Sequence, residues 1–266
     1  MLIIDTHVHL YPKHNPSNFF DFAYKNLNSI VNKHTNYTSI QCILCLTETA
    51  KHNWFNDTST RLASGETINY GHWSIQASAD KNCITATSNT YEKVHLIQGY
   101  QIVTIEKLEV LALGLDCRIP DGLSLQQTID HILKAGAMPV LPWGVGKWLG
   151  NRGTIITDLL KTGTASQIAL GDNGGRPGAF PYPDQFRAAE KLGIPIFPGT
   201  DPLPIAGEEN KVGRCGLVYS MDLDEGPISQ QVIKLLKNRK IGFEKEFVLE
   251  TNFRFLINQI LMRLKK

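Results

Sequence analysis

The stretch Leu2-Ile-Ile-Asp-Thr-His-Val-His-Leu-Tyr-Pro12 carries the most informative pattern of the chain. Successive side chains of a β-strand point to opposite faces, so Asp5, His7 and His9 share one face. Two imidazoles on one face supply two nitrogen ligands for a divalent metal ion, and Asp5 could orient one of them. The alternative is a pair of hydrogen-bonded histidines without a metal, but polar groups inside a fold are costly without a function. We therefore predict a first strand over residues 3–10 that carries a metal site.

Downstream, the chain repeats the order strand, loop, helix, strand, which is typical of parallel strands joined by crossover helices. The clearest helix follows Ser124, which forms a capping-box pattern with Gln127, and it leads into a strand at Met138–Pro142. A second unit has a helix over 182–192 and a strand over 194–201. Further strands are predicted over 39–47, 108–115 and 167–170. This order predicts an α/β fold, a distorted TIM-like barrel of seven or eight β/α units.

The length of 266 residues suits one barrel-sized domain or two small ones, and we assign residues 1–266 to a single domain. Residues 49–91 form a mostly polar segment with two short strand-like stretches. This pattern predicts an inserted loop or hairpin that could cover the site. Residues 227–266 are predicted to form C-terminal helices over 228–239 and roughly 244–264. The apolar stripe of the second helix is expected to pack against the barrel.

With 27 basic and 25 acidic residues the formal net charge is +2. This balance favours neither a nucleic-acid partner nor an anionic membrane surface. No uninterrupted apolar run approaches the roughly 20 residues of a membrane-spanning helix, and the N-terminus lacks the pattern of a signal peptide. We therefore expect a soluble, cytoplasmic protein that acts on a small molecule, and self-association into a homo-oligomer stays open.

The segment Asp5-Thr-His-Val-His9 resembles the first-strand signature shared by the amidohydrolase superfamily and the polymerase and histidinol phosphatase (PHP) family. Both are distorted barrels that bind one to three metal ions. Later segments are more similar to PHP elements: Cys45-Leu-Thr-Glu-Thr49 to Thr-Asp-His, Ile97-Gln-Gly-Tyr-Gln-Ile102 to Gly-x-Glu, Met138-Pro-Val-Leu-Pro-Trp143 to Val-x-Ala-His-Pro, and Pro198-Gly-Thr-Asp-Pro202 to Gly-Ser-Asp-Ala-His. The resemblance covers most of residues 1–205 and implies a PHP-like metal-dependent hydrolase.

Four positions depart from the PHP pattern of metal ligands. They are Gln101 in place of Glu, and Thr49, Trp143 and Leu203 in place of His. The ligands that remain are His7, His9 and Asp201, which implies one or more zinc, manganese or iron ions but does not favour a trinuclear site. Such an ion would polarise a substrate oxygen and lower the pKa of its bound water to roughly 7.

Acidic residues at the predicted strand ends are further candidates. Asp201 follows a buried strand and is predicted to be a metal ligand or general base, although an acidic residue before proline also forms turns. Glu48 and Asp172 could supply oxygen ligands or catalytic carboxylates on the same rim, or could cap a following helix or turn.

Two glycine-rich segments, each after a predicted strand, contain three basic residues: Lys147, Arg152 and Arg176. Glycines let backbone N–H groups approach an anion, and arginine can hold a phosphate or carboxylate in two-pronged fashion. We predict that these residues bind an anionic substrate, with Gln101 as a further hydrogen-bonding group. The alternative is ordinary solvated charges on surface loops.

Three functions remain open. The leading one is a PHP-like phosphoesterase that acts on a small phosphorylated or anionic substrate. The second is an amidohydrolase-like enzyme that hydrolyses a C–N or C–O bond, but that superfamily normally has histidines on the fifth and sixth strands, and none is evident after His131. The third is a barrel that has lost catalysis and binds an anionic ligand or a partner protein.

Overall fold

The computed structural model describes residues 1–31 and 40–264. This part of the chain contains thirteen strands and seven α-helices. The strands are β1 (Leu2–Val8), β2 (Gln41–Leu46), β3 (Ile68–Tyr70), β4 (Trp73–Ala77), β5 (Cys83–Ser88), β6 (Lys93–Ile97), β7 (Gly99–Val103), β8 (Glu109–Leu113), β9 (Met138–Pro142), β10 (Ala169–Asn173), β11 (Ile196–Gly199), β12 (Gly216–Tyr219) and β13 (Glu244–Glu246). The helices are α1 (Pro16–Val31), α2 (Trp54–Ala63), α3 (Leu125–Lys134), α4 (Asn151–Leu159), α5 (Asp184–Lys191), α6 (Ile228–Lys237) and α7 (Asn252–Arg263).

The fold is mixed α/β with two sheets. The eight-stranded sheet has the order β13-β12-β1-β2-β6-β5-β4-β3, and the five-stranded sheet has the order β11-β10-β9-β8-β7. Parallel pairs join β1 to β2, β2 to β6, β9 to β10 and β10 to β11, as the strand-helix rhythm predicts. The pairs β7–β8, β8–β9 and β1–β12 are antiparallel.

The two sheets meet at two junctions. At the first, between β1 and β11, the Asp201 N–H donates to the His7 carbonyl at 2.8 Å. At the second, between β2 and β7, the Glu48 N–H donates to the Gly99 carbonyl at 3.0 Å, and the Glu48 carbonyl accepts from the Gln101 N–H at 2.9 Å. The segments 5–9, 45–49, 97–102 and 198–202, which the sequence marks as functional, therefore lie at these junctions.

Apolar packing explains why these strands form. Every residue of β1, β9, β10 and β11 is buried, which is typical of strands covered on both faces. One buried cluster joins Leu2 and Ile43 of the first sheet to Leu111 and Val140 of the second. Removing such apolar surface from water is the dominant favourable contribution to folding.

Several predicted elements are confirmed. Ser124 caps α3 in a capping box with Gln127, and β9 has the predicted bounds. The helix predicted over 182–192 and the strand predicted over 194–201 correspond to α5 and β11. The strand predicted over 39–47 is β2, although Ser39 itself lies outside the described residues.

The C-terminal prediction is wrong in two respects. Residues 244–264 do not form one helix, because β13 pairs with β12 and α7 begins only after its N-cap Thr251. The apolar stripe of α7 packs inward only in part: Phe255 contacts the Phe180 ring, with centroids 5.4 Å apart, but most of the stripe does not. Its large side chains Phe253, Leu256 and Ile260 are 76%, 60% and 58% exposed.

The region 49–91 contains more regular structure than the predicted loop or hairpin. It forms α2 and the strands β3, β4 and β5. β3 pairs with β4, β4 with β5, and β5 with β6. These strands extend the eight-stranded sheet at one edge, because β5 pairs antiparallel with β6. None of the described helices is both long and apolar enough to cross a membrane.

Candidate metal centre

Three side chains meet where β1 lies beside β11. The Nε2 atoms of His7 and His9 are 3.1 Å apart, and Asp201 Oδ1 lies 3.5 Å from the first and 3.4 Å from the second. Ligand atoms about 2.05 Å from one tetrahedral zinc ion are about 3.3 Å from each other. The triangle of these three atoms therefore has the size that a single ion of this kind requires.

An irregularity in β1 brings the two imidazoles together. The register of β1 against β2 shifts between Asp5 and Val8, the segment that contains His7, and β1 ends at Val8 before His9. Residues two apart on a regular strand are separated by about 7 Å, whereas these two ring nitrogens nearly touch. Local irregularities of this kind commonly re-aim side chains beside functional sites.

Burial and the neighbouring side chains together determine the charge of the cluster. Burial lowers the pKa of His7 to about 4, although the Asp201 carboxylate acts in the opposite direction. Burial alone would raise the pKa of Asp201, but His7 and His9 beside it lower that pKa overall. At neutral pH the cluster therefore offers a neutral imidazole and a carboxylate, the forms that bind metal.

The backbone of Asp201 is strained in a way that suits a functional residue. Its φ angle is +44°, in the left-handed region that residues other than glycine rarely adopt. The Asn173 side chain donates to Asp201 Oδ2 at 2.9 Å, which leaves Oδ1 directed at the histidines. A hydrogen bond of this type orients a metal ligand from behind.

Asp5 supports the cluster through the backbone. Its buried carboxylate accepts from the N–H groups of Thr200 and Gly213, both at 3.0 Å, and from the His7 N–H at 3.3 Å. The Thr200 hydroxyl donates to it as well. Asp5 therefore holds His7 and the residue before Asp201 in place, rather than orienting an imidazole ring as its position on the strand suggested.

Gly199 allows the two strands to approach. A Cβ atom at this position would lie 2.4 Å from the His7 Cβ and 2.8 Å from the His7 backbone nitrogen. No other residue fits at this spacing without moving β1 or β11.

Two of the predicted anion-binding residues lie near the cluster. The Lys147 ammonium pairs with the Glu109 carboxylate, and its charge lowers the pKa of both His7 and Asp201. The Gln101 side chain lies beside His7 and acts to raise the pKa of that imidazole. Lys147 is 40% exposed and can reach an incoming anion.

Asp172 and Arg176 bind each other instead. The guanidinium donates to both carboxylate oxygens, at 2.8 and 2.7 Å, and both side chains are buried. The rings of Tyr182 and Phe247 flank the guanidinium at 5.5 and 5.6 Å. This pair is occupied within the fold and is not brought to the three-residue cluster.

Arg152 and Glu48 also have structural partners. The Arg152 guanidinium donates to the Gly146 carbonyl at 2.8 Å, which holds the glycine-rich loop. Glu48 Oε1 accepts from the Phe55 N–H at 3.1 Å, in the first turn of α2. Burial raises the pKa of Glu48 to about 7, and its Oε2 has no hydrogen-bond partner among the described residues.

The other positions that depart from the PHP pattern add no ligand to the cluster. Trp143 is buried in an apolar cluster. His14 Nε2 lies 2.8 Å from the Leu203 carbonyl oxygen, and the Thr49 hydroxyl pairs with His52 at 2.7 Å. The described residues therefore form one site for an ion, with three ligand atoms.

Sequence reasoning missed two residues of the site. Asn173 follows Asp172 in a glycine-rich segment, and the carboxylate of Asp172 is the more obvious candidate for a ligand there. Glu109 is a single carboxylate at the start of an otherwise apolar strand, and this isolated charge was the available signal.

Comparison with known proteins gives the fold but no family. No family model matches this chain, and no curated protein matches it. Among solved structures, PsfC from Pseudomonas syringae is similar with a TM-score of 0.55 and 14% sequence identity, over 99% of this chain and 98% of PsfC. The chain thus shares an overall fold with PsfC.

Proposed function

We propose that this protein is a metal-dependent hydrolase of PHP-like type that acts on a small phosphorylated or otherwise anionic substrate. The observation that carries the proposal is the triangle of His7 Nε2, His9 Nε2 and Asp201 Oδ1, with sides of 3.1 to 3.5 Å. Two imidazoles and a carboxylate are a common ligand set of catalytic zinc sites, which keep an open position for water or substrate. The three residues would hold one zinc, manganese or iron ion.

When bound, such an ion polarises a substrate oxygen and lowers the pKa of bound water to roughly 7. The remaining roles fall to side chains of the chain itself. Asn173 orients the Asp201 carboxylate, and Lys147 binds the anionic group of the substrate. Because Lys147 is paired with Glu109 in the free protein, the incoming anion competes with that carboxylate for the ammonium.

We further propose that the two sheets form one distorted barrel whose wall is β1, β2 and β7 to β11. Hydrogen bonds at both junctions support this arrangement. The Thr6 hydroxyl donates to the Pro198 carbonyl at 2.9 Å across the first junction, and Glu48 is bonded to Gly99 and Gln101 across the second. His9, Lys147 and Asp201 follow the ends of β1, β9 and β11, the rim where barrel enzymes carry their active sites.

The test is metal content, measured by elemental analysis of protein purified without chelator or metal-affinity tag. His7→Ala, His9→Ala and Asp201→Ala are compared with His95→Ala, which removes a histidine on β6 that is bonded to Thr85. We expect about one ion per chain in the wild type and in His95→Ala, and little in the other three. Wild-type protein that stays empty after incubation with zinc, manganese and iron contradicts the proposal.

Turnover is then assayed with phosphate monoesters and with amides on the loaded protein. Hydrolysis of phosphate esters supports the PHP-like activity, whereas hydrolysis of amides favours an amidohydrolase-like one. The non-ligand residues at Thr49, Trp143 and Leu203 favour a second candidate, a barrel that binds one ion and an anionic ligand without turnover. Metal and phosphate binding with neither activity would select that candidate.

A further inference from the structure

Asp201, one of the three residues of the metal-type cluster, lines a cavity of about 420 Å³. Asp201, whose side chain is 23% exposed, lies on one side of it together with Lys147 and Asn173. Residues of α7 form another side. A cavity of this size suits a small molecule, and a ligand that spans it would contact both Asp201 and α7.

The helix α7 has two distinct faces. The face towards the cavity carries Phe255, Asn258, Gln259, Met262 and Arg263. Their spacing of three, one, three and one residues is that of a single helical stripe. The opposite face carries the exposed apolar residues. The polar side chains Asn258, Gln259 and Arg263 therefore lie on the cavity side of α7.

Polar contacts fix this inner face. Asn258 Nδ2 donates to Glu208 Oε1 at 3.3 Å, and the Arg254 guanidinium lies 3.4 Å from the same oxygen. Glu208 is 2% exposed and also pairs with Lys211 at 2.9 Å. Buried charges are costly unless they are paired, so this network places α7 at a defined position above the cavity.

The charges that line the cavity are not all neutralised. Lys211 pairs with Glu208 and Glu250, and Lys147 pairs with Glu109. Arg263 lines the same cavity, and no ion pair or hydrogen bond of its guanidinium occurs among the described residues. The half-buried Gln259 amide, one turn earlier, is without such a partner in the same part of the chain. Both groups can donate hydrogen bonds to a carboxylate or phosphate at this side of the cavity.

We propose that Arg263 and Gln259 bind a second anionic group of the substrate, so that the substrate class is a small phosphate ester with a carboxylate or second phosphate distant from the reacting group. This inference rests on the proposed function, because the first group is taken to bind at Asp201 and Lys147. The two residues determine specificity and take no part in the chemical step.

The test measures binding of phenylphosphonate and its para-carboxylated analogue to the manganese-loaded protein by isothermal titration calorimetry. The two probes share one phosphonate and differ by one anionic group. We expect the carboxylated probe to bind about tenfold more tightly to the wild type, as one added charge-assisted hydrogen-bonded pair allows. Arg263→Ala should remove that preference and leave phenylphosphonate binding unchanged.

Ile260→Ala is the matched control, because it changes the exposed face of the same helix and should keep the preference. Equal affinities of the wild type for both probes, or an unchanged preference in Arg263→Ala, overturn the inference while leaving the metal centre intact. Failure of both probes to bind the loaded wild type refutes the proposed function, and the inference with it. Metal content, measured on every variant, separates these outcomes.

Discussion

The β1/β11 junction and the helix α7 face the same cavity but are held by opposite kinds of interaction. At the junction each contact uses a backbone group of the sheets: the Asp201 N–H donates to the His7 carbonyl, and the Asp5 carboxylate accepts from backbone N–H groups on both sides. On α7, side-chain contacts hold the helix: Asn258 donates to the buried Glu208, and Phe255 packs on the Phe180 ring. Most of its other large apolar side chains face solvent. The ligand atoms are therefore fixed by groups of the sheets, whereas the opposite wall depends on a few side chains of one helix. We expect changes in that helix to leave the cluster intact.

The largest effect is expected from Gly199→Ala, which attacks the junction directly. The new Cβ would meet the His7 Cβ at 2.4 Å, and the backbone of two buried strands cannot move aside cheaply. We expect the free energy of unfolding to fall by about 3 kcal/mol or more, with loss of bound metal. Urea denaturation measures the change. The control is Gly242→Ala, where an added Cβ meets nothing within 4 Å; equal midpoints for the two variants would show that the junction is loosely packed.

The β2/β7 junction can be tested through the pH dependence of stability, because it contains the buried Glu48. Burial raises its pKa to about 7 in the folded protein, from 4.5. The folded state therefore binds the proton more tightly than the unfolded state between about pH 4.5 and 7, and stability is lost as the pH rises through that window. Glu48→Gln keeps an acceptor for the Phe55 N–H but carries no charge. We expect the variant to gain about 2 kcal/mol relative to the wild type between pH 5 and pH 8.

This gain is read from urea denaturation of both proteins at each pH, with the exposed Glu225→Gln as control. A difference between Glu48→Gln and wild type that does not change with pH would mean that the Glu48 carboxyl is solvated in the folded protein.

The junction residues could be predicted from sequence because their signals are local. The alternation in Asp5-Thr-His-Val-His9 places two histidines on one face, and Gly199-Thr-Asp201 follows a buried strand. Each pattern is contained in a few residues. The parallel topology then brings the ends of the strands together, so the three ligands could be named without knowing any other contact.

The arrangement of α7 could not be predicted in this way. An apolar stripe shows that a helix has two faces, but it does not determine which face meets the rest of the fold. Here that choice depends on Glu208, which lies in the loop after Asp201 and is remote in sequence from Asn258. The pairings of Lys147 with Glu109 and of Arg176 with Asp172 likewise depend on how loops fold back, so the free cations could not be distinguished from the paired ones.

A third, smaller effect distinguishes the two regions by metal affinity. Asn173→Ala removes the hydrogen bond to Asp201 Oδ2, and loss of such a supporting contact typically weakens metal binding about tenfold or more. Asn258→Ala, on the opposite wall, should leave metal affinity unchanged. Competition with a chromophoric zinc chelator measures both constants. A similar loss of metal affinity in both variants would mean that α7 supports the cluster. The contrast between the β1/β11 junction and α7 would then be wrong.

The smallest expected effect is on the stability of α7. There we expect replacement of an apolar residue to cost less than replacement of a polar one, the reverse of the usual order. Leu256→Ser replaces a side chain that is 60% exposed, so the change in local stability should stay within about 0.5 kcal/mol. Asn258→Ala, a buried polar residue on the same helix, leaves the Glu208 carboxylate with one partner fewer and should cost about 1 kcal/mol. Hydrogen exchange of the α7 amides is the appropriate measurement, because it reports the opening of this helix separately from global unfolding. A larger loss in Leu256→Ser than in Asn258→Ala would show that the apolar face is covered in solution and that side-chain contacts to Glu208 are not what holds the helix.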